Sequence, residues 1–282
     1  MIYAETVYLD NLCENWDGLV LNDYEVVMPL PWKKKWGIRY LYQPAFMQQG
    51  GVFGKTAITS DLLSRFIEEA RRYFKFAEIT LNHGNDISLL GQDIQLQSRN
   101  NFILSMGNGF PSIYKNYSPY IRKRLSRAAK FCLQYKPGED FTSAIEHYKQ
   151  LYLERLPSFN EEDFVHFEKL CSAYANEKRI IIREVFSKDG SELLAMVLLL
   201  KDDKRLYNII SCLWPNGRKC LANYFLYNEV IREFAKEKWV FDFEGSDVPG
   251  IAFFYKKFSS DNQPYPFIKF NDLPAAIRLL KP

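Results

Sequence analysis

Two segments of this sequence, residues 62–80 and 226–244, share one pattern, and this limits the folds open to the chain. Each begins with apolar residues at helical spacing, passes through a basic end and finishes in a short stretch of strand type. Three pairs of positions are identical: Leu62 and Leu226, Ile67 and Ile231, Glu69 and Glu233. The shared pattern predicts a helix followed by a strand in each segment.

A predicted pair of strands precedes each segment. In the first copy, residues 26–30 and 38–42 flank a basic turn at residues 33–35. In the second copy, residues 193–200 and 205–212 flank a charged turn. Two units of hairpin, helix and strand in one chain predict a duplicated domain with a cleft between or within the copies.

The composition is that of a folded protein with room for a large core. The chain has 282 residues, of which 47% are hydrophobic and 25% charged, enough for one large domain or two of ordinary size. The net charge of +3 is too small to indicate a nucleic-acid partner by itself, although Lys and Arg cluster at 33–35, 71–72, 122–130 and 256–257. A solvated surface is the ordinary explanation of such clusters.

Targeting signals and metal-binding patterns are missing from the sequence. The first residues lack the features of a signal peptide, and no apolar run is long enough to span a membrane. The cysteines at 13, 132, 171, 212 and 220 show no CxxC spacing, and the histidines at 83, 147 and 166 show no metal-ligand spacing. We therefore predict a cytoplasmic protein with no membrane span and no metal.

The remaining elements complete a recognisable order. A basic helix begins at Ser118-Pro119, since serine caps a helix and proline suits its first position. Helices at about 140–155, 161–176 and 219–237 enclose three consecutive strands, and residues 240–244 form a further strand. This order is that of the GNAT (acyl-CoA N-acyltransferase) fold. We predict an α+β protein of two tandem GNAT-like domains, residues 1–125 and 126–282, each a mixed, mainly antiparallel sheet flanked by helices.

A glycine-rich run at residues 50–56 looks like a phosphate-binding P-loop but fails its spacing. The position that must be glycine is Gln49, and a side chain there obstructs the tight backbone cradle. We predict a flexible loop that shapes a cleft.

Four further groups of residues form a set of motifs: 30–37 with 40–50, 102–104 with 117–130, 239–246, and 250–259. The first resembles a Leu-Pro, basic-turn and aromatic-Pro-x-x-Gln-x-Gly run, and the third a Phe-Asp-Phe-x-Gly strand. Together they resemble the Fem-type peptidyltransferases and their acetyltransferase-like relatives, a family of tandem GNAT domains. The resemblance spans residues from about 25 to 270.

The sequence departs from that family in its last motif and in the donor loop. The family's lysine falls on Tyr255 and its glycine on Ser259, with Lys256 one place along. In the GNAT pyrophosphate loop, the position of Arg or Gln is taken by Trp214. These departures leave open whether coenzyme A binds in the usual manner.

The resemblance implies an acyl-CoA donor, held at the third strand and at the helix that follows it. Candidate donor-binding residues are Ser211, Cys212, Gly217, Arg218 and Lys219. The last three suit a phosphate-binding turn at a helix N-terminus.

Acyl transfer to an amine requires a base and a proton donor for the leaving group. Asp242 and Glu244 alternate with phenylalanines, so both carboxylates are predicted to share one strand face. Glu244, at the strand end, is the candidate base, with Asp242 beside it, and Tyr255 is the candidate proton donor. The alternatives are solvent-facing carboxylates and a packed tyrosine.

Candidate acceptor-binding residues lie mainly in the first domain. The resemblance implies that Lys34, Lys35 and Arg39, with Gln48 and in the second domain Lys256, bind an anionic substrate such as a nucleotide-linked precursor. The alternative for the lysine run is a charged hairpin turn. The 122–130 helix is either a tRNA contact, if the donor is an aminoacyl-tRNA, or a surface helix.

Four functions stay open from the sequence. The first is an N-acyltransferase that moves an acyl group from acyl-CoA to the amine of a small molecule or of an envelope or lipid precursor. The second is an aminoacyl-tRNA-dependent, Fem-like peptidyltransferase. The third is a non-catalytic binding module on a degenerate GNAT fold. The fourth is a nucleic-acid binder, which the basic clusters permit and the small net charge does not favour. The sequence does not fix the oligomeric state.

Overall fold

The computed structural model describes residues 1–245 and 247–278. Ser246, part of the 239–246 motif, and residues 279–282, at the end of the predicted second domain, lie outside the described residues.

The α-helices and strands are, in chain order, α1 Thr6–Leu12, β1 Trp16–Leu21, β2 Val26–Lys35, β3 Ile38–Tyr42, β4 Phe53–Gly54, α2 Ser60–Tyr73, β5 Phe76–Thr80, β6 Gln95–Arg99, β7 Phe102–Ser105, α3 Phe110–Asn116, α4 Pro119–Ala128, β8 Gln134–Gly138, α5 Phe141–Tyr152, α6 Glu161–Asn176, β9 Ile180–Phe186, β10 Leu193–Lys201, β11 Arg205–Leu213, α7 Pro215–Lys219, α8 Ala222–Phe234, β12 Val240–Asp242, α9 Pro249–Lys256, β13 Asp261–Asn262, β14 Tyr265–Asn271 and α10 Ala275–Arg278. Short 3-10 turns span Ile2–Ala4, Ala129–Phe131 and Leu153–Arg155.

The chain divides into two compact units. The first joins Met1–Arg99 to the segment from Pro264 onwards, and the second is Asn100–Gln263. This division differs from the predicted boundary between residues 125 and 126. It does so because β14 returns to pair with β5 and β6, and because β7 pairs with β12 while α4 packs against α8.

The first unit is built on one mixed sheet of order β1-β2-β3-β5-β14-β6, with β4 paired to β2. All its pairings are antiparallel except that of β3 with β5. Thr59 caps the start of helix α2, since its side chain accepts a hydrogen bond from the Leu62 N–H. The helix buries Leu63, Phe66 and Ile67 in the core of this unit.

The basic residues 33–35 belong to β2 and do not form the turn that was predicted. The turn is Trp36-Gly37, and both residues have positive φ, at 51° and 82°. Two successive left-handed residues make the tight hairpin connection that matches the twist of the flanking strands. The lysine side chains therefore follow a strand.

The second unit has a sheet of order β13-β7-β12-β11-β10-β9-β8, in which only β11 and β12 run parallel. The predicted run of three consecutive antiparallel strands, β9, β10 and β11, is confirmed. Helix α4 begins at Pro119 with its Ile121 N–H bonded to the Ser118 side chain, as predicted. Each unit is thus a mixed, mainly antiparallel sheet flanked by helices, and the predicted fold class is confirmed.

Other predicted elements are corrected. The helix expected at 219–237 corresponds to α8, which begins only at Ala222 because Leu221 takes a left-handed φ of 64°. A separate short helix, α7, precedes it. The strand expected at 240–244 ends at Asp242. Helices α1, α3 and α9 were not predicted; the first two are short, and α9 lies in a segment read as turns.

Across residues 1–245 and 247–278, no helix is long and apolar enough to cross a membrane. The same residues contain no group of three or more His, Cys, Asp or Glu side chains arranged to hold a metal ion. All five cysteines are free thiols.

Candidate functional site

The parallel strands β11 and β12 separate after three paired residues. Their pairing runs from Arg205 to Tyr207, whereas β11 continues to Leu213 with β10 on its other edge. In the pairing of β10 with β11, Leu198 pairs with Ile210 and the next residue, Leu199, pairs with Asn208. Ile209 of β11 therefore has no partner on β10 and forms a β-bulge. Within the described chain no strand continues the pairing of β11 beyond Tyr207, and the resulting gap is here named the β11–β12 opening.

The main cavity of the second unit lies at the β11–β12 opening and has a volume of about 840 Å³. Its walls include Asn208, Ile209, Ser211 and Leu213 from β11. Residues from α5, α8 and α9 and from the loop after β12 close the other sides. A mixed apolar and polar cavity of this size is typical of a small-molecule site.

Backbone groups of β11 face the opening. The Leu213 N–H donates to the Tyr152 hydroxyl at 3.3 Å, on the edge away from β10. Alternate residues of a strand direct their N–H groups to the same edge, so the Ser211 N–H points to the opening as well. Such a backbone donor can polarise a carbonyl oxygen placed between the strands.

A chain of hydroxyl groups crosses the floor of the cavity. The rings of Tyr255 and Tyr227 are in contact, with centroids 6.1 Å apart. The Tyr227 hydroxyl donates to Ser211 Oγ at 3.2 Å while accepting from Asn208 Nδ2 at 2.9 Å. Burial raises the pKa of Tyr255 well above its ordinary value, and the neighbouring Tyr227 raises it further. Both tyrosines therefore stay protonated, and this chain, named the hydroxyl relay, is able to pass a proton.

Asn208 leaves one polar atom without a partner. Its side chain is 4% exposed and lines the main cavity, and its Oδ1 has no hydrogen-bond partner in the described structure. Buried polar atoms are nearly always paired, so this acceptor stands out.

Glu244 lies at the cavity wall, close enough to Tyr255 for its charge to raise the tyrosine pKa. Its φ is +60° and that of Gly245 is +61°, so the chain turns sharply after β12. The Glu244 N–H donates to Asp242 Oδ1 at 3.0 Å, which fixes this turn.

Asp242 lies beneath this turn and not on a face shared with Glu244, because the strand ends at Asp242 itself. It is fully buried, and its Oδ2 accepts from Arg205 Nη1 at 2.6 Å and from Asn101 Nδ2 at 3.2 Å. Burial raises the pKa of Asp242, and the Arg205 guanidinium acts in the opposite direction. The carboxylate therefore holds the turn in place and does not reach the main cavity.

Cationic side chains make one side of the main cavity attractive to anions. Arg124, Arg155 and Arg218 line it, and Glu244 is the only carboxylate among the described lining residues. Leu221 and Asn223, at the start of α8, also line it. The first N–H groups of a helix carry a partial positive charge, so α8 adds to this attraction.

The other predicted donor-binding residues do not line the main cavity. Cys212 is buried, and burial raises its pKa to about 12. Lys219 is exposed and donates to Asn216 Oδ1 at 3.1 Å. Trp214 packs edge-on against His147, with ring centroids 5.3 Å apart. Ser211 and Arg218 are thus the members of that predicted set that reach the cavity.

Gly217 has a packing role that explains the glycine. It is buried where α7 crosses β10, and a Cβ added there would lie 2.0 Å from the Leu194 carbonyl oxygen. The glycine thus lets the chain approach the strand closely and is not open to a ligand.

Gly217→Ala is therefore expected to lower the free energy of unfolding by about 1–3 kcal/mol, the range for overpacking a well-packed site. Urea unfolding measures this change. Gly250→Ala is the control, since a Cβ at Gly250 meets no atom within 4 Å. Equal stability of the two variants would contradict the packing role.

The predicted acceptor-binding residues are spread over both units. Lys34, Lys35 and Arg39 are exposed on the β2–β3 hairpin of the first unit, where Arg39 stacks over Trp32 at 5.4 Å. In the second unit, Lys256 is exposed at the end of α9 and lies 5.5 Å from the Phe102 ring centroid. Lys256 is not among the residues that line the main cavity of its own unit.

The first unit also has one parallel pair of strands, β3 and β5, that separate after a short pairing. There a following segment of the chain occupies the space. Strands β3 and β5 pair at only two positions. After β3 ends, residues 43–50 run on to the end of β5, where Gly50 forms a parallel β-bridge with Leu81. Thr80 fixes this segment, since its N–H donates to Gln43 Oε1 at 2.9 Å and its hydroxyl to the Gln48 carbonyl oxygen at 2.6 Å. The cavity left beside it is about 10 Å³. Residues 43–50, which include Gln48, thus occupy this space. The glycine-rich run predicted as a flexible loop, residues 50–56, begins at the end of this segment and contains the short strand β4.

Several cavity residues were not found from the sequence. Asn208 and Tyr227 lie at positions that the sequence pattern assigns to the core of a strand and of a helix. The one sequence signal for either residue was that Asn208 is polar within an apolar strand. Arg124 lies in the basic helix and Tyr152 in the helix predicted at about 140–155, so their convergence is a property of the tertiary fold.

Sequence comparison matches no family model and no curated protein. Solved structures do share the fold. The FemX structure has a TM-score of 0.65 at 12% identity, covering 100% of this chain and 93% of FemX. The C-terminal domain of a putative lysylphosphatidylglycerol synthetase from Agrobacterium fabrum has a TM-score of 0.59 at 12% identity, covering 99% and 90%. A tandem GNAT protein from the clavulanic acid biosynthesis pathway has a TM-score of 0.56 at 9% identity, covering 95% and 88%.

The Fem-like resemblance read from the motifs is thereby confirmed at the level of the fold. The chain has the tandem GNAT-like fold. Identities of 9–12% show the fold and leave the substrate to the chemistry of the site.

Proposed function

We propose that the second unit is an N-acyltransferase that moves an acyl group from acyl-CoA to the amine of a small molecule or of an envelope precursor. One observation carries the proposal: the β11–β12 opening leaves a strand edge facing a cavity of about 840 Å³. The thioester arm would lie along that edge, and the diphosphate near Arg218 and the start of α8. The free thiols indicate a reducing compartment, so we place the activity in the cytoplasm.

The residues present supply each part of the reaction. The Ser211 N–H polarises the thioester carbonyl, and the Glu244 carboxylate takes the proton of the attacking amine. The C–N bond forms as the C–S bond breaks, and the hydroxyl relay gives a proton to the leaving thiolate. Transfer of the proton held by Glu244 then restores the relay, so the proton balance closes.

An aminoacyl-tRNA donor is the second candidate, in the manner of a Fem-like peptidyltransferase. The observation in its favour is the basic surface of helix α4 and the 3-10 turn after it. Arg122, Lys123 and Arg127 on α4 and Lys130 in the turn form no ion pair within the described chain, while Arg124 reaches the main cavity. One neighbour in fold is a putative lysylphosphatidylglycerol synthetase. Trp214, in place of the arginine or glutamine of the usual coenzyme A loop, also favours this donor.

Ser211→Phe tests the donor site, because the added ring would fill the β11–β12 opening. We expect acetyl-CoA or long-chain acyl-CoA to raise the melting temperature of the wild-type protein by mass action, and the variant to lose this shift. Release of coenzyme A thiol in the presence of an amine panel measures the transfer.

Ser172→Phe adds the same ring at an exposed position of α6 and should keep both properties. A wild-type protein that no acyl-CoA stabilises would overturn the acyl-CoA donor. Stabilisation by charged tRNA alone, also lost in Ser211→Phe, would instead support the aminoacyl-tRNA donor.

A further inference from the structure

A second cavity in the second unit lies between α3, α4 and α8 and has a volume of about 380 Å³. Its lining shares no residue with that of the main cavity. The proposed reaction therefore gives it no role, and its chemistry has to be explained separately.

Two buried polar atoms near this second cavity have no hydrogen-bond partner within the described structure. Asn228 is 3% exposed and lines the cavity; its Nδ2 donates to Glu229 Oε1 at 2.8 Å, while its Oδ1 is unpartnered. The hydroxyl of Tyr117, which is 1% exposed, is also unpartnered, and the charges of Arg232 and Glu229 act on it. A polar residue on the buried face of a helix is unfavourable unless something supplies the missing bond.

The charges around the second cavity favour an anion. Arg122 is exposed and forms no ion pair within the described residues. Arg232 lies 3.6 Å from Glu229 Oε1, and its guanidinium stacks over the Phe110 ring at 4.7 Å. Two guanidinium groups thus face one carboxylate, beside the rings of Phe110 and Tyr114.

We infer that the second cavity binds a free α-amino acid with an apolar side chain. Arg122 pairs with the ligand carboxylate, since a guanidinium binds a carboxylate through parallel hydrogen bonds. The ligand ammonium donates to Asn228 Oδ1 and lies beside the Glu229 carboxylate. The apolar side chain packs against Phe110 and Tyr114. This site is additional to the proposed transferase site and does not depend on it.

Isothermal titration calorimetry with L-leucine and L-phenylalanine tests the site. We expect the wild-type protein to bind at least one of them. We also expect two analogues to bind at least about tenfold more weakly than the amino acid: the matching amide, which lacks the carboxylate, and the deaminated acid, which lacks the N–H donors. Arg122→Gln should weaken amino-acid binding by about tenfold or more, with an unchanged melting temperature because Arg122 is exposed.

Asn228→Leu gives a second readout that a purely structural asparagine would not give. We expect this variant to lose amino-acid binding while its unliganded melting temperature rises, because an unpartnered buried polar atom has been removed. Lys123→Gln, on the same helix but outside the cavity lining, is the matched control and should bind as the wild type does. Absence of binding by the wild type, or unchanged affinity in Arg122→Gln, would overturn the inference.

Discussion

Replacing Asp242 with alanine is expected to lower the free energy of unfolding by about 3–5 kcal/mol, the range for breaking a buried ion pair by removing one partner. The Arg205 side chain is only 12% exposed and bonds Asp242 at 2.6 Å. Without the carboxylate, the buried guanidinium loses the counter-charge that Asp242 provides. The Asn101 amide and the Glu244 N–H lose their acceptor as well. Urea unfolding monitored by circular dichroism measures the loss.

A double substitution separates the charge from the packing. Arg205→Met in the Asp242→Ala background should recover part of the lost stability, because it removes the buried charge that the Asp242 carboxylate no longer offsets. Asp203→Ala, in the exposed turn before β11, is the matched control and should change stability little. A cost for Asp242→Ala as small as that of Asp203→Ala would show that the ion pair contributes no stability.

The sequence was sufficient to predict the fold because the periodic segments are long and well capped. The predicted helix starting at Pro119 has both a serine cap and a first-position proline, and it begins there in the structure. The three antiparallel strands are apolar runs bounded by charged turns, and their pairing follows from their order along the chain. Elements with such local signals are predictable from one sequence.

The unit boundary required long-range pairing that no local pattern shows. Strand β14 joins the sheet of the first unit although β13, which ends only three residues before it, belongs to the second. The composition of residues 258–271 gives no sign of this change of sheet. To predict the sheet that β14 joins, one would need to know which strand in each sheet still has an edge without a pairing partner.

The candidate site was predicted in part. Glu244, Tyr255, Ser211 and Arg218 line one cavity, as a shared site requires. Asp242 was predicted beside Glu244 because strand alternation was carried past the residue where the strand ends. A sequence does not show that a turn with two positive φ values follows directly.

Glu244→Gln is expected to lower kcat of the proposed acyl transfer by about 10²–10⁴-fold, the usual contribution of a positioned general base. Glutamine keeps the size and the backbone turn, whose hydrogen bond uses the N–H and not the side chain. Donor affinity and melting temperature should therefore match those of the wild type. Single-turnover transfer from the acyl-CoA that binds, measured beside a thermal melt, separates the chemical step from binding and folding.

Two comparisons decide whether Glu244 acts as that base. Glu154→Gln, an exposed glutamate outside the main cavity, should leave kcat unchanged. Tyr255→Phe breaks the hydroxyl relay at its buried end and keeps Glu244, so it should slow the release of the leaving group and leave amine attack intact. A good leaving group, such as an activated aryl thioester, would then restore the rate of Tyr255→Phe but not that of Glu244→Gln. Equal restoration of both variants would place Glu244 in the proton supply to the leaving group and not at the amine.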